Sequence, residues 1–352
     1  MRDVAIVSFA QSKHVRAQTD SNEVEMLMPV VREALDNVGI GMDRVGFTCS
    51  GSTDYLSGQA FSFVMTLDSV GPWPPIAESH VEMDGAWALY EAWVKLQLGE
   101  IDVALIYAYS KSSPGNVREV LTRQTDPYFV APLWIDTIGM AGLQTRALLD
   151  SGRATPADLA AVAATARRNA LANPYALLTG DDSVEDLLAQ PMLADPMHVW
   201  DCPPITDGCA AVVIAADDVA RELSANPAWI RGIDHRIESQ GLGLRDLTRS
   251  ASTALAGEKA GVGSGPIDIA ELHAPFAAQE LIARDALGLG DGVSINPSGG
   301  ALAANPVMAA GLIRLGEAAT RLSNGEGRRA VATATSGPCL QQNLVCVLEA
   351  GS

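Results

Sequence analysis

The sequence has 352 residues, of which 48% are apolar and 19% are charged, and its 42 Asp and Glu against 24 Lys and Arg give a net charge of -18. This composition is typical of a globular chain with a large core and excludes a disordered or fibrous protein. The acidity argues against a nucleic-acid binder and against docking on anionic membranes, because both need exposed cations.

The N-terminal apolar run is too short for a secretory signal, and no stretch approaches the ~20 apolar residues that a membrane span needs. We therefore expect a cytoplasmic protein whose thiols are reduced. The spacing of the cysteines matches no zinc pattern, so no metal is expected. The five cysteines are Cys49, Cys202, Cys209, Cys339 and Cys346.

Short apolar runs typical of strands alternate with alanine-rich helical patterns along the chain. Residues 4–8 are predicted to form a buried strand, and residues 23–38 a helix that Ser21 or Asn22 caps. Pro29 conflicts with that helix, because a proline in a helix interior removes one hydrogen bond. Alternation of this kind predicts an α/β fold in which helices cover a sheet.

The two halves of the chain end in a similar order of elements. A predicted helix at 85–99 precedes the strand 103–109, and a predicted helix at 306–320 precedes the strand 330–335. The shared order suggests an internal duplication. Residues 112–200 interrupt the first half with helices and turns, and we predict that they form an inserted region.

Two candidate catalytic residues lie in turns that follow predicted strands. His273 falls between a strand at 267–272 and a helix at 276–287, and open α/β sheets place their sites at such strand ends. The structural alternative is a histidine that caps the helix. Cys339 lies in the turn of TATSGPCLQQN, where a thiol can exchange a proton if its pKa is lowered. The alternative there is an inert, partly buried thiol.

Further polar groups precede the predicted helices. Glu82 and Asp84 stand just before the helix at 85–99, where a helix N-terminus stabilises a carboxylate, and position alone favours capping. The glycine-rich segment INPSGGALAANP opens the second helix. Its backbone N–H groups and Asn305 can hold an oxyanion, although a tight connecting turn is the simpler reading.

Taken together, these segments resemble the thiolase superfamily, and within it the sterol-carrier-protein or lipid-transfer-type branch. The stretches VAIVSFAQSK, ELHAPFAAQE, NPSGGALAANP and SGPCLQQN carry the resemblance, together with SVEDLLAQPMLADPMHVWDCPPITDGCAAVVIA. The resemblance implies an α/β thiolase fold, a five-layered αβαβα arrangement of two similar halves with an inserted helical loop domain. We expect an N-terminal half at 1–222, including the loop domain at about 112–200, and a C-terminal half at 223–352.

The sequence departs from the thiolase pattern at the nucleophile. Thiolases carry a Cys-x-x-Gly motif at the start of the central helix, and here HVEMDGAWAL places Glu82 at the cysteine position if Gly85 matches the glycine. No cysteine lies between Cys49 and Cys202. A carboxylate cannot form the acyl-thioester intermediate, so thiolysis by the usual covalent route is not expected.

The resemblance implies a retro-aldolase instead, as in members of this branch that lack the cysteine. Such an enzyme cleaves a β-hydroxyacyl-CoA, expected here to come from steroid or cholesterol side-chain degradation, into a ketone and a shorter acyl-CoA. His273 is the leading base on the β-hydroxyl and Cys339 the acid, or the two exchange roles.

The remaining site residues are expected to hold the thioester oxygen or the hydroxyl. Asn305, which replaces the histidine of the family's Gly-His-Pro loop, is expected to support the thioester oxygen. Glu82 is expected to orient a water or the hydroxyl, with Asp84 as its substitute. The turns expected to line the oxyanion and substrate site comprise Ser298, Gly299, Gly300 and Gly337.

CoA is expected only as part of the substrate, with no separate cofactor. The resemblance also implies a homodimer bound to a small OB-fold partner of the DUF35 type, which together form a heterotetramer. Two alternatives stay open. One is a non-catalytic acyl-CoA or lipid-binding scaffold, and the other is an atypical acetyl-CoA acyltransferase.

Overall fold

A computed structural model describes residues 2–351, in which strands and helices alternate. The strands are β1 (Val4–Gln11), β2 (Phe47–Gly51), β3 (Glu78–Val81), β4 (Val103–Ser110), β5 (Met192–Ala194), β6 (Met197–His198), β7 (Gly208–Ala216), β8 (Ala228–Ile237), β9 (Ile269–Glu271), β10 (Ser294–Ile295), β11 (Arg329–Ser336) and β12 (Gln342–Ala350). The helices are α1 (Glu23–Asp36), α2 (Asp54–Ser57), α3 (Gly85–Gln97), α4 (Val117–Arg123), α5 (Thr137–Asp150), α6 (Pro156–Ala170), α7 (Val184–Leu188), α8 (Asp217–Leu223), α9 (Ala251–Ala260), α10 (Ala277–Ala286), α11 (Gly300–Ala303) and α12 (Ala310–Ser323).

Ten of the described strands form one continuous sheet in the order β10-β9-β11-β12-β8-β1-β7-β4-β2-β3. Its two halves are built alike. In each half, the three strands at the outer edge run parallel to one another, and each of the next two strands runs antiparallel to the strand before it. The halves meet where β1 pairs antiparallel with β8, with Val4 opposite Ile230. The repeated order agrees with a fold made of two similar halves.

The helices form three layers around the two halves of the sheet. Helices α3 and α12 lie between the halves and share one buried apolar cluster with both. Helices α1 and α8 pack on the outer face of the first half, and α9 and α10 on the outer face of the second. The α/β thiolase fold, with five αβαβα layers, is therefore confirmed.

The start of helix α1 is determined by residues that are close together in the sequence. Asn22 caps it through a capping box, in which its side chain accepts from the backbone of Glu25 and the Glu25 side chain accepts from the backbone of Asn22. The helix continues through Pro29, which lies on the exposed face. Water can reach the carbonyl that loses its partner there, so the helix tolerates the proline.

The inserted region is mostly helical, as predicted, and contains α4 to α7. It also holds a two-stranded sheet, β5-β6, which the sequence analysis did not foresee. Apolar side chains of α6 and α7 pack against α10 and α11 of the second half, so the insertion covers that half near its strand ends. The proposed division at residues 222 and 223 stays a prediction.

The five cysteines are all free. Cys49, Cys209 and Cys346 are buried within β2, β7 and β12, where they act as small apolar side chains. Across residues 2–351, no helix combines the length and the apolar character needed to cross a membrane.

Candidate active site

A cavity of about 460 Å³ lies between the start of α3, the turn after β9 and the turn between β11 and β12. Helices α4 and α5 of the inserted region form its other wall. The structure brings together at this cavity the five residues predicted to be catalytic: Glu82, Asp84, His273, Asn305 and Cys339.

Both ring nitrogens of His273 are engaged by protein groups. The backbone N–H of Thr335 donates to Nδ1 at 3.2 Å, so Nδ1 carries no proton and the neutral ring has its proton on Nε2. Nε2 lies 3.2 Å from Oδ1 of Asn305 and donates to it. Burial, followed by the charge of Arg314, lowers the pKa of His273 to about 4. The ring is therefore a neutral hydrogen-bond donor.

This geometry assigns His273 a role other than the expected one. A general base needs a free lone pair that faces the substrate, and here Nδ1 is occupied while Nε2 already carries a proton. The expectation of His273 as the leading base is therefore replaced by one in which it orients Asn305.

Asn305 is oriented by its partners. Its backbone N–H donates to Oγ1 of Thr206 at 3.0 Å, and its Oδ1 accepts from His273. Because Oδ1 is occupied, Nδ2 is the amide atom left to donate into the cavity. Asn305 thus presents a fixed, uncharged donor of the kind that stabilises an oxyanion.

Asp84 is buried at the start of α3 and accepts three backbone hydrogen bonds. Its Oδ1 accepts from Ala86 at 2.8 Å and from Leu312 at 3.0 Å, and its Oδ2 accepts from Gly311 at 2.8 Å. It therefore caps both central helices. Burial raises the pKa of Asp84 to about 7, although these N–H groups favour the charged form. A carboxyl group of that pKa exchanges protons near neutral pH.

Glu82 lies in the bend between β3 and α3 and is exposed. Its Oε1 accepts from the Thr53 hydroxyl at 2.8 Å and from the Asp54 backbone at 2.6 Å. These bonds tie the start of α2 to the cavity wall. Because both bonds use Oε1, Oε2 is the oxygen left for a ligand or a water.

Cys339 occupies the turn between β11 and β12, in a left-handed conformation with φ of 56° that Leu340 shares at 57°. Non-glycine residues in this region store strain and need support from their surroundings. Arg245 supplies it by donating to the carbonyls of Pro338 at 2.9 Å and Cys339 at 3.1 Å. Burial raises the pKa of the Cys339 thiol to about 11, so the thiol is a proton donor at neutral pH.

The turn at 298–300 does not contribute to the cavity, which corrects the expected oxyanion role of Ser298, Gly299 and Gly300. The N–H of Ser298 donates to Glu271 at 2.9 Å, and the N–H of Gly300 donates to the Ser298 hydroxyl at 3.2 Å. The Gly299 N–H donates to the carbonyl of Asn296 at 2.8 Å. All three N–H groups are thus used inside the protein. Gly337, in contrast, does line the cavity.

Other residues line the cavity besides the five that were predicted to be catalytic. Arg118 lines it from α4 and pairs with Asp136, and the half-buried Cys202 also contributes. Gln279 lines it from the first turn of α10. Gln279 follows His273 by six residues in the motif ELHAPFAAQE, so the sequence could have identified it as a candidate for the site. Arg118 and Cys202 come from distant segments that only the fold brings to the cavity.

No family model matches the chain. It is 26% identical to "Acetyl-CoA acetyltransferase" of Methanothermobacter thermautotrophicus, over 96% of this chain and 95% of that protein. It is 24% identical to "Sterol carrier protein 2" of Gallus gallus, over 97% of this chain and 70% of that protein.

Two solved structures have the same fold over almost their whole length. A structure described as "Ltp2-ChsH2(DUF35) aldolase" aligns with a TM-score of 0.80 and 20% identity, covering 99% of this chain and 98% of that one. Human mitochondrial 3-ketoacyl-CoA thiolase aligns with a TM-score of 0.78 and 16% identity, covering 100% and 99%. The resemblance to the thiolase superfamily and its lipid-transfer-type branch is confirmed.

Proposed function

We propose that this chain, which has the thiolase fold, is an acyl-CoA retro-aldolase that cleaves a β-hydroxyacyl-CoA into a ketone and a shorter acyl-CoA. The observation that carries the proposal is the set of groups around one cavity. They are an amide donor at Asn305, a protonated thiol at Cys339 and a carboxyl group of pKa about 7 at Asp84. The description of one structural neighbour as an aldolase supports the same reaction.

The reaction begins at the β-hydroxyl group. Asp84 takes the hydroxyl proton, because its pKa lies near the pH of the cell, where a general base is most effective. Glu82, whose Oε2 is free, orients the hydroxyl or a water beside it. The electrons of the O–H bond form the ketone C=O bond as the Cα–Cβ bond breaks.

The electrons of the broken bond pass to the thioester as an enolate. Nδ2 of Asn305 donates to the enolate oxygen, and His273 holds the amide in that orientation. The Cys339 thiol then donates its proton to Cα, and the thiolate recovers a proton from Asp84 through solvent. The net change moves the hydroxyl proton to Cα, so no other reactant is consumed.

The resemblance suggests a steroid side chain as the acyl group, and the cavity wall suits an apolar acyl chain. Much of that wall is aliphatic or aromatic, which is typical of sites for apolar ligands. The apolar residues of the wall include Val117, Leu121, Ile138, Met140 and Phe276.

We also propose a homodimer, which an unpaired sheet edge supports. At the opposite edge, Asn169 of α6 donates to the carbonyls of Ile295 and Asn296, so that end of the sheet is covered. At β3, no such cover exists among residues 2–351, and an open edge strand favours pairing with another chain. Large apolar side chains are exposed in the segment between β2 and β3: Tyr55, Phe61, Val64, Met65 and Trp73.

A DUF35-type OB-fold partner is proposed on two grounds. One structural neighbour is described as a complex with such a protein. A second exposed apolar surface, separate in sequence from the β3 edge, lies between α4 and α5, the helices that wall the cavity. Two copies of each chain would form the expected heterotetramer. The exposed side chains of this surface are Tyr128, Phe129, Leu133 and Trp134.

The test is incubation with a β-hydroxy, β-branched acyl-CoA, with and without the OB-fold partner. Release of a ketone together with a shorter acyl-CoA supports the aldolase. Tight binding without turnover in the presence of the partner would show that the chain is a scaffold. A trapped acyl-enzyme would show an acyltransferase.

The scaffold remains the second candidate, because the structure gives Asp84 a complete capping role without chemistry. An acyltransferase has less support. Burial raises the pKa values of the cavity thiols Cys202 and Cys339 to about 12 and about 11, which leaves little thiolate at neutral pH.

A further inference from the structure

Arg314 is a buried arginine of helix α12 that is not among the described residues lining the cavity. It is 4% exposed, and its Nη1 donates to Oε2 of Glu271 at 2.7 Å and to the hydroxyl of Ser298. Glu271 is fully buried at the end of β9 and also accepts from the backbone N–H of Ser298 at 2.9 Å. Desolvation offsets much of the attraction in a buried ion pair, so net stability alone does not account for this one.

The ion pair joins the two segments that carry groups of the site. Glu271 lies two residues before His273 at the same strand end. Arg314 follows Gly311 by three residues on α12, and the backbone N–H of Gly311 donates to Asp84 at 2.8 Å. The pair therefore ties the strand end that carries His273 to the helix that caps Asp84.

The positive charge of Arg314 also reaches both of these groups. After burial, it is the second cause that lowers the pKa of His273. Burial raises the pKa of Asp84 to about 7, and Arg314 opposes that rise together with the three backbone N–H groups. A carboxyl group that is buried without a nearby cation stays protonated to a higher pH and is then a poorer base at the pH of the cell.

The titratable groups around Asp84 lie in the bend before it, on β9 and in the turn after it, on α12, and in the turn between β11 and β12. They are Glu82, Glu271, His273, Arg314, Glu317 and Cys339. Glu82 is exposed, and the His273 ring and the Cys339 thiol are neutral. Glu271 is paired with Arg314, so Arg314 is the buried charge that acts on Asp84 from α12.

We propose that Arg314 is a positioning residue, which holds the strand end of His273 against the helix that caps Asp84 and keeps a positive charge close to Asp84. This inference rests on the retro-aldolase proposed above, in which Asp84 is the base. A protonated carboxyl group cannot take the proton of the β-hydroxyl, so the rate depends on the fraction of Asp84 that is ionised.

The experiment follows the protonation of Asp84 directly and through catalysis. Infrared spectroscopy records the C=O band of the protonated carboxyl group, assigned by its absence in Asp84→Asn, and the pH limb of kcat/KM reports the same group. In the wild-type protein both midpoints should lie at about pH 7. In Arg314→Met we expect both to rise by roughly one pH unit, so that kcat/KM falls about tenfold at pH 6 but only a few-fold at pH 9.

Two further variants serve as matched controls. Arg314→Lys keeps the positive charge but loses the guanidinium geometry, so the midpoint should stay near its wild-type value while kcat falls a few-fold. Arg321→Met makes the same change as Arg314→Met about 10 Å farther along the same helix. Arg321 lies 3.6 Å from Glu271 and pairs more closely with Glu326, at 2.7 Å, so its loss should leave both midpoints unchanged.

A midpoint that stays at pH 7 in folded Arg314→Met overturns the proposal. A loss of rate that is equal at every pH also overturns it, because that is the result of a purely structural role.

Arg314→Met leaves Glu271 buried without its partner, which is strongly destabilising. If thermal unfolding shows that this variant does not fold, Arg314→Met/Glu271→Gln removes both charges and should show the same upward shift, and an unchanged midpoint there contradicts the proposal equally. Failure of the retro-aldolase itself would appear separately, as no ketone release at any pH by a wild-type protein whose infrared midpoint still shifts in Arg314→Met.

Discussion

The carboxylate of Asp84, before the first central helix, accepts a hydrogen bond of 2.8 Å from the backbone N–H of Gly311, in the first turn of the second central helix. The two residues lie 227 positions apart in the chain. Gly311 allows this approach because it has no side chain. A Cβ there would lie 2.6 Å from Oδ1 of Asp84 and 2.4 Å from Cβ of Ala334.

Gly311→Ala should therefore destabilise the protein. Alanine favours a helix by up to about 1 kcal/mol over glycine, but overpacking of a tight site costs about 1–3 kcal/mol. The clash therefore outweighs the helix preference, and the free energy of unfolding should fall. We expect a net loss of about 1 kcal/mol or more, measured by urea unfolding. Gly290→Ala is the control, since a Cβ there meets no atom within 4 Å. An unchanged midpoint for Gly311→Ala would contradict the close packing of the two helices.

The pH dependence of cleavage tests the role of Asp84. Its pKa of about 7 lies above the ordinary value, so the base is protonated and inactive below pH 7. We expect kcat/KM to rise about tenfold per pH unit up to about 7 and then to stay level until the Cys339 thiol, of pKa about 11, loses its proton. Asp84→Asn should lower the rate at every pH and remove the limb near pH 7. A limb that persists in this variant would assign the base elsewhere.

His273 and Asn305 should behave as one unit in catalysis. His273→Ala should lower kcat by roughly a hundredfold with a smaller change in KM, because Asn305 loses the partner that orients its donor. Asn305→Ala should have a similar effect, and the double variant should lose little more than either single variant. His235→Ala is the control, since His235 packs against Tyr90 and does not line the cavity. Near-normal turnover by folded His273→Ala would exclude His273 from the mechanism.

Arg245 should act through Cys339 as a positioning residue. Arg245→Met removes two hydrogen bonds to the turn and the positive charge that lowers the pKa of the thiol. We expect about a tenfold loss in kcat and slower alkylation of Cys339 at a fixed alkaline pH, measured in a Cys202→Ala background. Arg245→Lys should restore the alkylation rate better than it restores kcat. Lysine keeps the positive charge that lowers the pKa of the thiol, but it cannot make both hydrogen bonds that hold the turn.

Arg249→Met removes a charge from the same loop without touching the turn, and both measurements should stay unchanged in it. Alkylation that is equally fast in Arg245→Met and the wild-type protein would limit Arg245 to holding the turn.

Much of the fold followed from local patterns. The helices α1 and α3 and the strands β4 and β11 lie where periodicity and capping residues predict them. These elements depend on neighbours in the sequence, as when Asn22 and Glu25 form their capping box. The strand β8, which joins the halves through its pairing with β1, was not predicted, because its partner lies more than 200 residues away.

The sequence alone identified five residues that line the cavity, because each lies in a local motif: Glu82, Asp84, His273, Asn305 and Cys339. What each of these groups can do follows from contacts that exist only in the folded chain. The backbone N–H of Thr335 determines which ring nitrogen of His273 carries the proton. Gln144 accepts from the Gln279 amide nitrogen and so determines how that amide is oriented. The second central helix packs against Asp84 and buries it. Hydrogen-bond direction and burial depend on contacts between distant segments, and a linear pattern of residues does not contain them.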